Sequence, residues 1–457
     1  MDSLTKGAAK SIGIIGNSIG GLAAAALLHK QGHSVRVLSG PQYTHPLYYG
    51  YSRAILPTSM VTECKKLGLF DDTIPEASCG ARHFFSLEQA SLFNPRSIWK
   101  QSLGLSVLNS WHIYTNLRKR LPEKLYLSIH PITFIKNNPN SVDLATDLSH
   151  SLRFDMVIAA DGLNSTIRKA LFSDLVPNFR REYISWHGIT ENESILNDKA
   201  FDDISPVYLF EKGHFLFYKL PAPDYEKSKK ILLGWSVYTQ STTLSIADLH
   251  QLARDRLPTP IADLFCNTQT PSMQPVFDYI SPTFVVGNTC LLGQAGAVVG
   301  PHVASLELRE LTGALSLAQA LDPKENLNFS ASLAEWNESQ LKLAKGQKAL
   351  SEKLGSGFVT TPPDWASMDS TSMGLWWQAQ IDEKPWQTPA PKTVPWIKLI
   401  SEEDDTWPMP LTPPSKQFTP GLNSKAKAGD MINNLCIELK NGLVLEESGK
   451  NPITRGV

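Results

Sequence analysis

Gly16, Gly20 and Gly21 stand within the six residues "GNSIGG". They lie between the apolar run Ile12 to Ile15 and the alanine- and leucine-rich stretch Gly20 to Gln31. Glycines at this spacing let a strand turn tightly into a helix. They also bare backbone N–H groups at the helix N-terminus, where hydrogen bonds and the helix dipole hold a diphosphate. Ser18 fills the middle position, where dinucleotide cradles usually carry another glycine. Such cradles present a carboxylate to a ribose at the end of their second strand, and here Ser39 stands in that place. A hydroxyl offers a neutral hydrogen bond in place of a charge-assisted one, which weakens the hold by about 1–2 kcal/mol. The chemistry on offer is recognition of a dinucleotide through main-chain amides.

The elements that must position these residues can be read along the chain. Ile12 to Ile15 suits a buried parallel strand, Gly20 to Gln31 a helix stopped by Gly32, and Ser34 to Leu38 a second strand. Ser110 to Leu121, "SWHIYTNLRKRL", has helical periodicity with Ser110 as its cap. Phe154 to Ala159 is another buried strand and leads into "ADG". Between Glu182 and Gln240 three stretches rich in β-branched and aromatic residues, separated by glycines, read as antiparallel strands. Phe284 to Leu292 is a strand again, and Leu306 to Leu321 a long helix.

These readings give an α/β chain: a Rossmann-like domain of residues 1–170 and 280–355, an inserted antiparallel β-sheet domain of residues 171–279, and an extension of residues 356–457. The extension is crowded with proline and tryptophan. Proline argues against long regular elements there, and the tryptophans need a surface to pack on. It is expected to wrap the body as far as about Trp407, with Ser424 to Val457 less ordered.

The bulk numbers exclude several classes. Among 457 residues, 42% are hydrophobic and 19% charged, which fits a soluble globular protein. A formal net charge of -1 leaves no electrostatic footprint for nucleic acid or an anionic membrane. No secretory signal and no stretch long enough to span a bilayer is read. The five cysteines are scattered and lack CxxC spacing, so no disulfide framework and no metal site is expected, and the reading is a cytoplasmic protein.

Three segments in order carry a resemblance. "GNSIGG" at Gly16, "ADGLNSTIR" from Ala160 to Arg168 and "LLGQAGAVVGPHVAS" from Leu291 to Ser305 are similar to the dinucleotide, DG and GD motifs of the single-component flavin monooxygenases, the aromatic hydroxylases with the 4-hydroxybenzoate hydroxylase fold. Pro301-His302, "SWHG" at Ser185 and "SWHIYTNLRKRL" resemble the 2,6-dihydroxypyridine hydroxylase branch, and "MGLWWQA" at Met373 is similar to fungal members. The resemblance covers about Ile12 to Gly355.

It implies FAD held by Gly16, Ser18, Gly21, Ser39, Asp161, Arg168, Gly293 and Gln294, with NADPH as a transient reductant and O2 as co-substrate. Arg168 is a natural phosphate partner, or else forms a structural ion pair with Asp161. His302 lies by resemblance on the loop facing the flavin, where an imidazole of ordinary pKa near 6.5 would serve as acid–base group or substrate anchor. His187 and Tyr218 join it as catalytic candidates, and Trp186, His214, Trp235, Tyr238 and Pro301 as lining of a substrate pocket.

Four positions depart from the family pattern: Ser39, Tyr49 where an arginine is common, Gln294 for the aspartate of the GD motif, and Leu306 for a glycine near the flavin ring. The resemblance implies a monooxygenase acting on a hydrophobic secondary metabolite, as a monomer or homodimer. The joint departures imply FAD binding weakened or lost, and leave open a cofactor-independent isomerase or cyclase using acid–base residues, or a binding protein.

Overall fold

The computed structural model describes residues 8–40, 52–91, 94–148, 151–191, 201–240, 245–268, 271–303, 306–326 and 328–381. Strand Ser11–Ile15 lies in the middle of a six-stranded sheet, paired in parallel with Ser34–Ser39 on one side and Met156–Ala159 on the other. Both faces of the sheet are covered, which is why the run is apolar throughout. The chain then turns through Gly16 at φ +91°, where a Cβ would come within 2.5 Å of the Ala160 carbonyl oxygen. Only glycine fits there. The Ser18 hydroxyl caps helix Ile19–Lys30 by accepting from the Gly21 N–H at 3.2 Å. Gly32, at φ +96°, ends the helix.

The second layer is a nine-stranded sheet, almost wholly antiparallel. The exception is the parallel pair Glu76–Ser91 and Ile204–Phe210. Arg53–Pro57, Glu76–Ser91 and Asn94–Asn109 belong to this sheet, so it draws on residues well before 171–279. Strand parity divides its side chains. Trp186, Phe215, Phe217 and Trp235 point to one face and form a core with Phe265, under helices Ile246–Arg256 and Thr259–Cys266. His187, His214, Tyr218, Ser236 and Tyr238 alternate with them; His187 stands opposite Ser236, and His214 opposite Tyr238.

Gly188 shows how tightly the first face is filled, because a Cβ there would lie 2.3 Å from Trp235 and 2.7 Å from Thr268. Gly188→Ala is expected to cost about 1–3 kcal/mol of unfolding free energy by overpacking, read as a lower midpoint in urea.

Helix Phe329–Gly355 passes through a wide turn, Ser356–Thr360, into helix Ser370–Ile381. Phe358 and Trp377 are buried against Phe84, Trp377 also against Trp99, and Trp365 is buried against Phe358. The Arg96 guanidinium donates to the carbonyls of Trp365, Ala366 and Met368 at 2.6, 2.8 and 2.6 Å. The first part of the extension therefore packs through its tryptophans. The helix Ser370–Ile381 is a departure from the expectation of irregular chain, and its reason is local: the stretch around "MGLWWQA" contains no proline. The remainder of the extension, residues 382–457, lies outside the described residues, as does Tyr49. Among the described residues no helix is long and apolar enough to cross a membrane.

Candidate active site

Helix Leu306–Ala320 packs along helix Ile19–Lys30, with Glu310 at Gly20 and the Ala318 carbonyl at Gln31. A Cβ on Gly20 would lie 3.0 Å from the Glu310 Cβ, so the absence of a side chain at Gly20 lets the two helices approach. The approach brings a carboxylate to the cradle. The Gly20 N–H donates to Glu310 Oε2 at 2.9 Å in a buried hydrogen bond. Gly293, at φ +62°, passes the same side chain, and a Cβ there would meet Glu310 Cγ at 2.9 Å.

Glu307, one turn earlier on the same face, accepts from the Ser110 hydroxyl at 2.6 Å. Burial pushes Glu310 up to about 7; the Gly20 N–H, Arg309 and Ser18 draw it back, while Glu307 pushes it further up. Burial likewise raises Glu307 to about 7, against the hydrogen bond from Ser110 and the charge of Arg53.

Asp161 and Arg168 are occupied inside the protein. The Asp161 carboxylate accepts from the Thr166 N–H at 2.8 Å and its hydroxyl at 3.2 Å, beside Ser165, whose hydroxyl caps helix Thr166–Leu171 by accepting from the Arg168 N–H at 2.9 Å. The Arg168 guanidinium donates to the Leu163 carbonyl at 2.6 Å, the Tyr279 hydroxyl at 2.6 Å and the Gln294 carbonyl at 3.3 Å, and lies 4.3 Å from the Tyr279 ring centroid. Tyr279 in turn donates to the Gln294 carbonyl. Arg168 thus clamps the DG turn to the segment at Gln294, where a phosphate partner or an ion pair with Asp161 was expected. Ser39 ends its strand, its carbonyl accepting from the Ile129 N–H at 2.8 Å.

A second polar group lies beneath the inner face of the nine-stranded sheet. Arg53 donates to the Tyr218 hydroxyl at 2.6 Å and stacks 4.0 Å from that ring's centroid. His187 Nδ1 bonds the Ser236 hydroxyl at 2.9 Å, and His302 Nδ1 bonds the Tyr183 hydroxyl at 3.3 Å. The Tyr238 ring lies 4.9 Å from both His214 and His302, and 6.1 Å from His187.

Among the described residues, several buried atoms of this cluster have no hydrogen-bond partner: Arg53 Nε and Nη2, His187 Nε2, both ring nitrogens of His214, the Tyr238 hydroxyl and His302 Nε2. Each unmet group costs about 1–3 kcal/mol, so a concentration of them marks a place made to receive hydrogen bonds. Pro301 is buried beside His302.

The imidazoles are not poised to titrate near neutrality. Burial pushes His302 down to about 3. Burial also holds His187 and His214 well below the usual histidine range, with Arg53 acting the same way on His187, and His302 and Arg82 on His214. This corrects the expectation of an ordinary pKa at His302. All three are neutral rings, each with one donor and one acceptor nitrogen.

The structure brings His302, His187, His214, Tyr218 and Tyr238 together. It does not bring Trp186 and Trp235 to them. Both point to the opposite face, where Trp235 donates to the Thr268 hydroxyl at 2.8 Å, and this corrects their assignment to a pocket. Arg53, Glu307 and Glu310 escaped the reading of the sequence. Two acidic residues at i and i+3 on a largely apolar, leucine- and alanine-rich helix were the available signal for the latter pair.

In this arrangement the residues do not fit a bound dinucleotide. The Gly20 N–H is already satisfied by a carboxylate, Arg168 is spent on backbone, and Glu310 closes the approach to Gly293.

No family model matches the chain. It is 23% identical over 361 residues to 2,6-dihydroxypyridine 3-monooxygenase of Paenarthrobacter nicotinovorans, covering 72% of this chain and 87% of that protein. Among solved structures, 2,6-dihydroxypyridine-3-hydroxylase from Arthrobacter nicotinovorans superposes with a TM-score of 0.65 at 20% identity, over 80% of this chain and 97% of the other. Salicylate hydroxylase in a substrate complex gives a TM-score of 0.66 at 17% identity, over 83% and 96%. Klebsiella pneumoniae HpxO, complexed with FAD and uric acid, gives 0.64 at 15% identity, over 82% and 93%.

Proposed function

We propose that the chain, which is similar to the single-component FAD-dependent monooxygenases of the aromatic-hydroxylase type, is an NAD(P)H-driven monooxygenase of a small organic molecule. The observation that carries this reading is similarity to a 2,6-dihydroxypyridine 3-monooxygenase that spans 87% of that relative. The buried polar cluster supports a substrate with an apolar, aromatic body and at least one hydroxyl, carbonyl or carboxylate. Arg53, always charged, would receive that group through its free Nε and Nη2. The Tyr238 hydroxyl and the neutral rings of His214 and His302 would orient it, and the sheet above them would exclude water. A secondary metabolite of polycyclic or phenolic character meets this description.

A second reading, a cofactor-independent isomerase or cyclase on the same fold, rests on the Glu310 contact at Gly20 alone, and the monooxygenase relative does not favour it. Reconstitution separates the two. The purified protein is incubated with FAD, and NADPH oxidation is followed with a panel of phenols, salicylates and hydroxypyridines. A yellow holoprotein whose NADPH oxidation is stimulated by a panel member is the expected result. Colourless protein that turns a panel member over without NADPH would overturn it in favour of the second reading.

A further inference from the structure

The N-terminus of helix Ile19–Lys30 is where this fold class receives a diphosphate, and it already holds a carboxyl group of the chain itself. Three contacts fix that group. The Gly20 N–H donates to Glu310 Oε2 at 2.9 Å. Gly20 lies against Glu310 backbone and Cβ, and Gly293 lies against its Cγ and Oε1. Two of the glycines that the sequence offers as room for a ligand are thus room that Glu310 fills. A carboxylate is chemically apt for the place, since it accepts from an orphan helix N–H and is favoured by the positive end of the dipole. Glu307 adds a second buried carboxylate one turn away. An arriving diphosphate would meet a lost hydrogen-bond donor and, where the carboxyls are ionised, like charge.

We infer that Glu310 is an internal stand-in for the diphosphate of a dinucleotide, so that a nucleotide binds the cradle only by expelling it. The inference rests on the reading of the chain as a member of a dinucleotide-binding family, and it accounts for the misfit between that family's cofactor and the arrangement seen. A nucleotide site competing with its own chain binds weakly. Removing the competitor restores a free N–H and removes a charge, a change that corresponds to about ten- to hundredfold in affinity.

The test is calorimetric titration of ADP, and separately of FAD, into the full-length protein, Glu310→Ala and Glu310→Gln. ADP should bind Glu310→Ala at least about tenfold more tightly than the parent. Glu310→Gln should fall between them, because its amide still accepts from Gly20 but carries no charge. Circular dichroism checks the fold of each variant, and Glu310→Gln carries the result if the alanine variant is unfolded. ADP affinity no higher in the folded variants than in the parent overturns the inference, whatever FAD does. ADP tightened while neither parent nor variant takes up FAD upholds the inference and removes the monooxygenase reading.

Discussion

Arg168→Met is expected to lower the unfolding free energy by about 3–5 kcal/mol, measured by urea denaturation of the protein without added nucleotide. The size follows from what the guanidinium holds. It is buried, it donates to the Leu163 and Gln294 carbonyls and to the Tyr279 hydroxyl, and it ties the DG turn to the segment after strand Thr289–Leu291. Hydrogen bonds from a charged donor are worth about 1.5–3 kcal/mol each, and a thioether replaces none of them. The Leu163 carbonyl would lose this donor outright, while the Gln294 carbonyl would keep Tyr279. Arg168→Lys should recover less than half of the loss, because a single ammonium cannot span three acceptors laid out for a planar fork. Had Arg168 been a phosphate ligand with its N–H groups free, Arg168→Met would barely move the stability of the nucleotide-free protein. A change below about 1 kcal/mol would therefore return Arg168 to the ligand side.

This residue also shows where reading the sequence stops. "ADGLNSTIR" after a buried strand announces a strand–turn–helix with a capped start, and the structure has it, down to Asp161 on the Thr166 N–H. Which acceptors a long guanidinium reaches depends on Tyr279 and Gln294, more than 100 residues away, and no local pattern reports them. The strands of the second sheet were legible from their β-branched and aromatic content, but not which side of each faces the polar cluster. Alternation fixes that Trp235 and Tyr238 point opposite ways; only the docked helices above Trp235 decide which way is inward. The membership of Arg53–Pro57 in that sheet is a long-range pairing with Asn94–Asn109, and with it came Arg53, a permanent charge in the polar cluster. His302 was found by motif, yet its protonation is set by how completely the surrounding rings exclude water, a property of packing alone.

The other large effect is on the pH dependence of stability. Glu307 and Glu310 stand at about 7 in the folded chain against an ordinary 4.5, raised chiefly by burial. The folded state thus keeps a proton on each where the unfolded chain has lost it. Their contribution to stability is most favourable below the unfolded value of 4.5. It declines as pH rises through the window from 4.5 to about 7, and is flat above it. At about 1.4 kcal/mol per pH unit, the decline amounts to about 3 kcal/mol per carboxylate.

The double variant Glu307→Gln, Glu310→Gln removes both titrations while keeping side-chain length and the acceptors for Ser110 and Gly20. Urea unfolding of the two proteins between pH 5 and pH 8 should give curves that diverge, the double variant gaining on the parent by at least about 3 kcal/mol across the range. His302 and the other buried imidazoles titrate in the opposite sense at acid pH, but they are common to both proteins and cancel in the difference. Parallel curves would mean that the carboxylates are already ionised in the folded state, held so by the helix N-terminus and by Arg309 and Arg53. In a diverging result the cradle rests with a neutral acid in it on the acid side of 7. The charge that opposes a diphosphate then grows in only as pH climbs past that point.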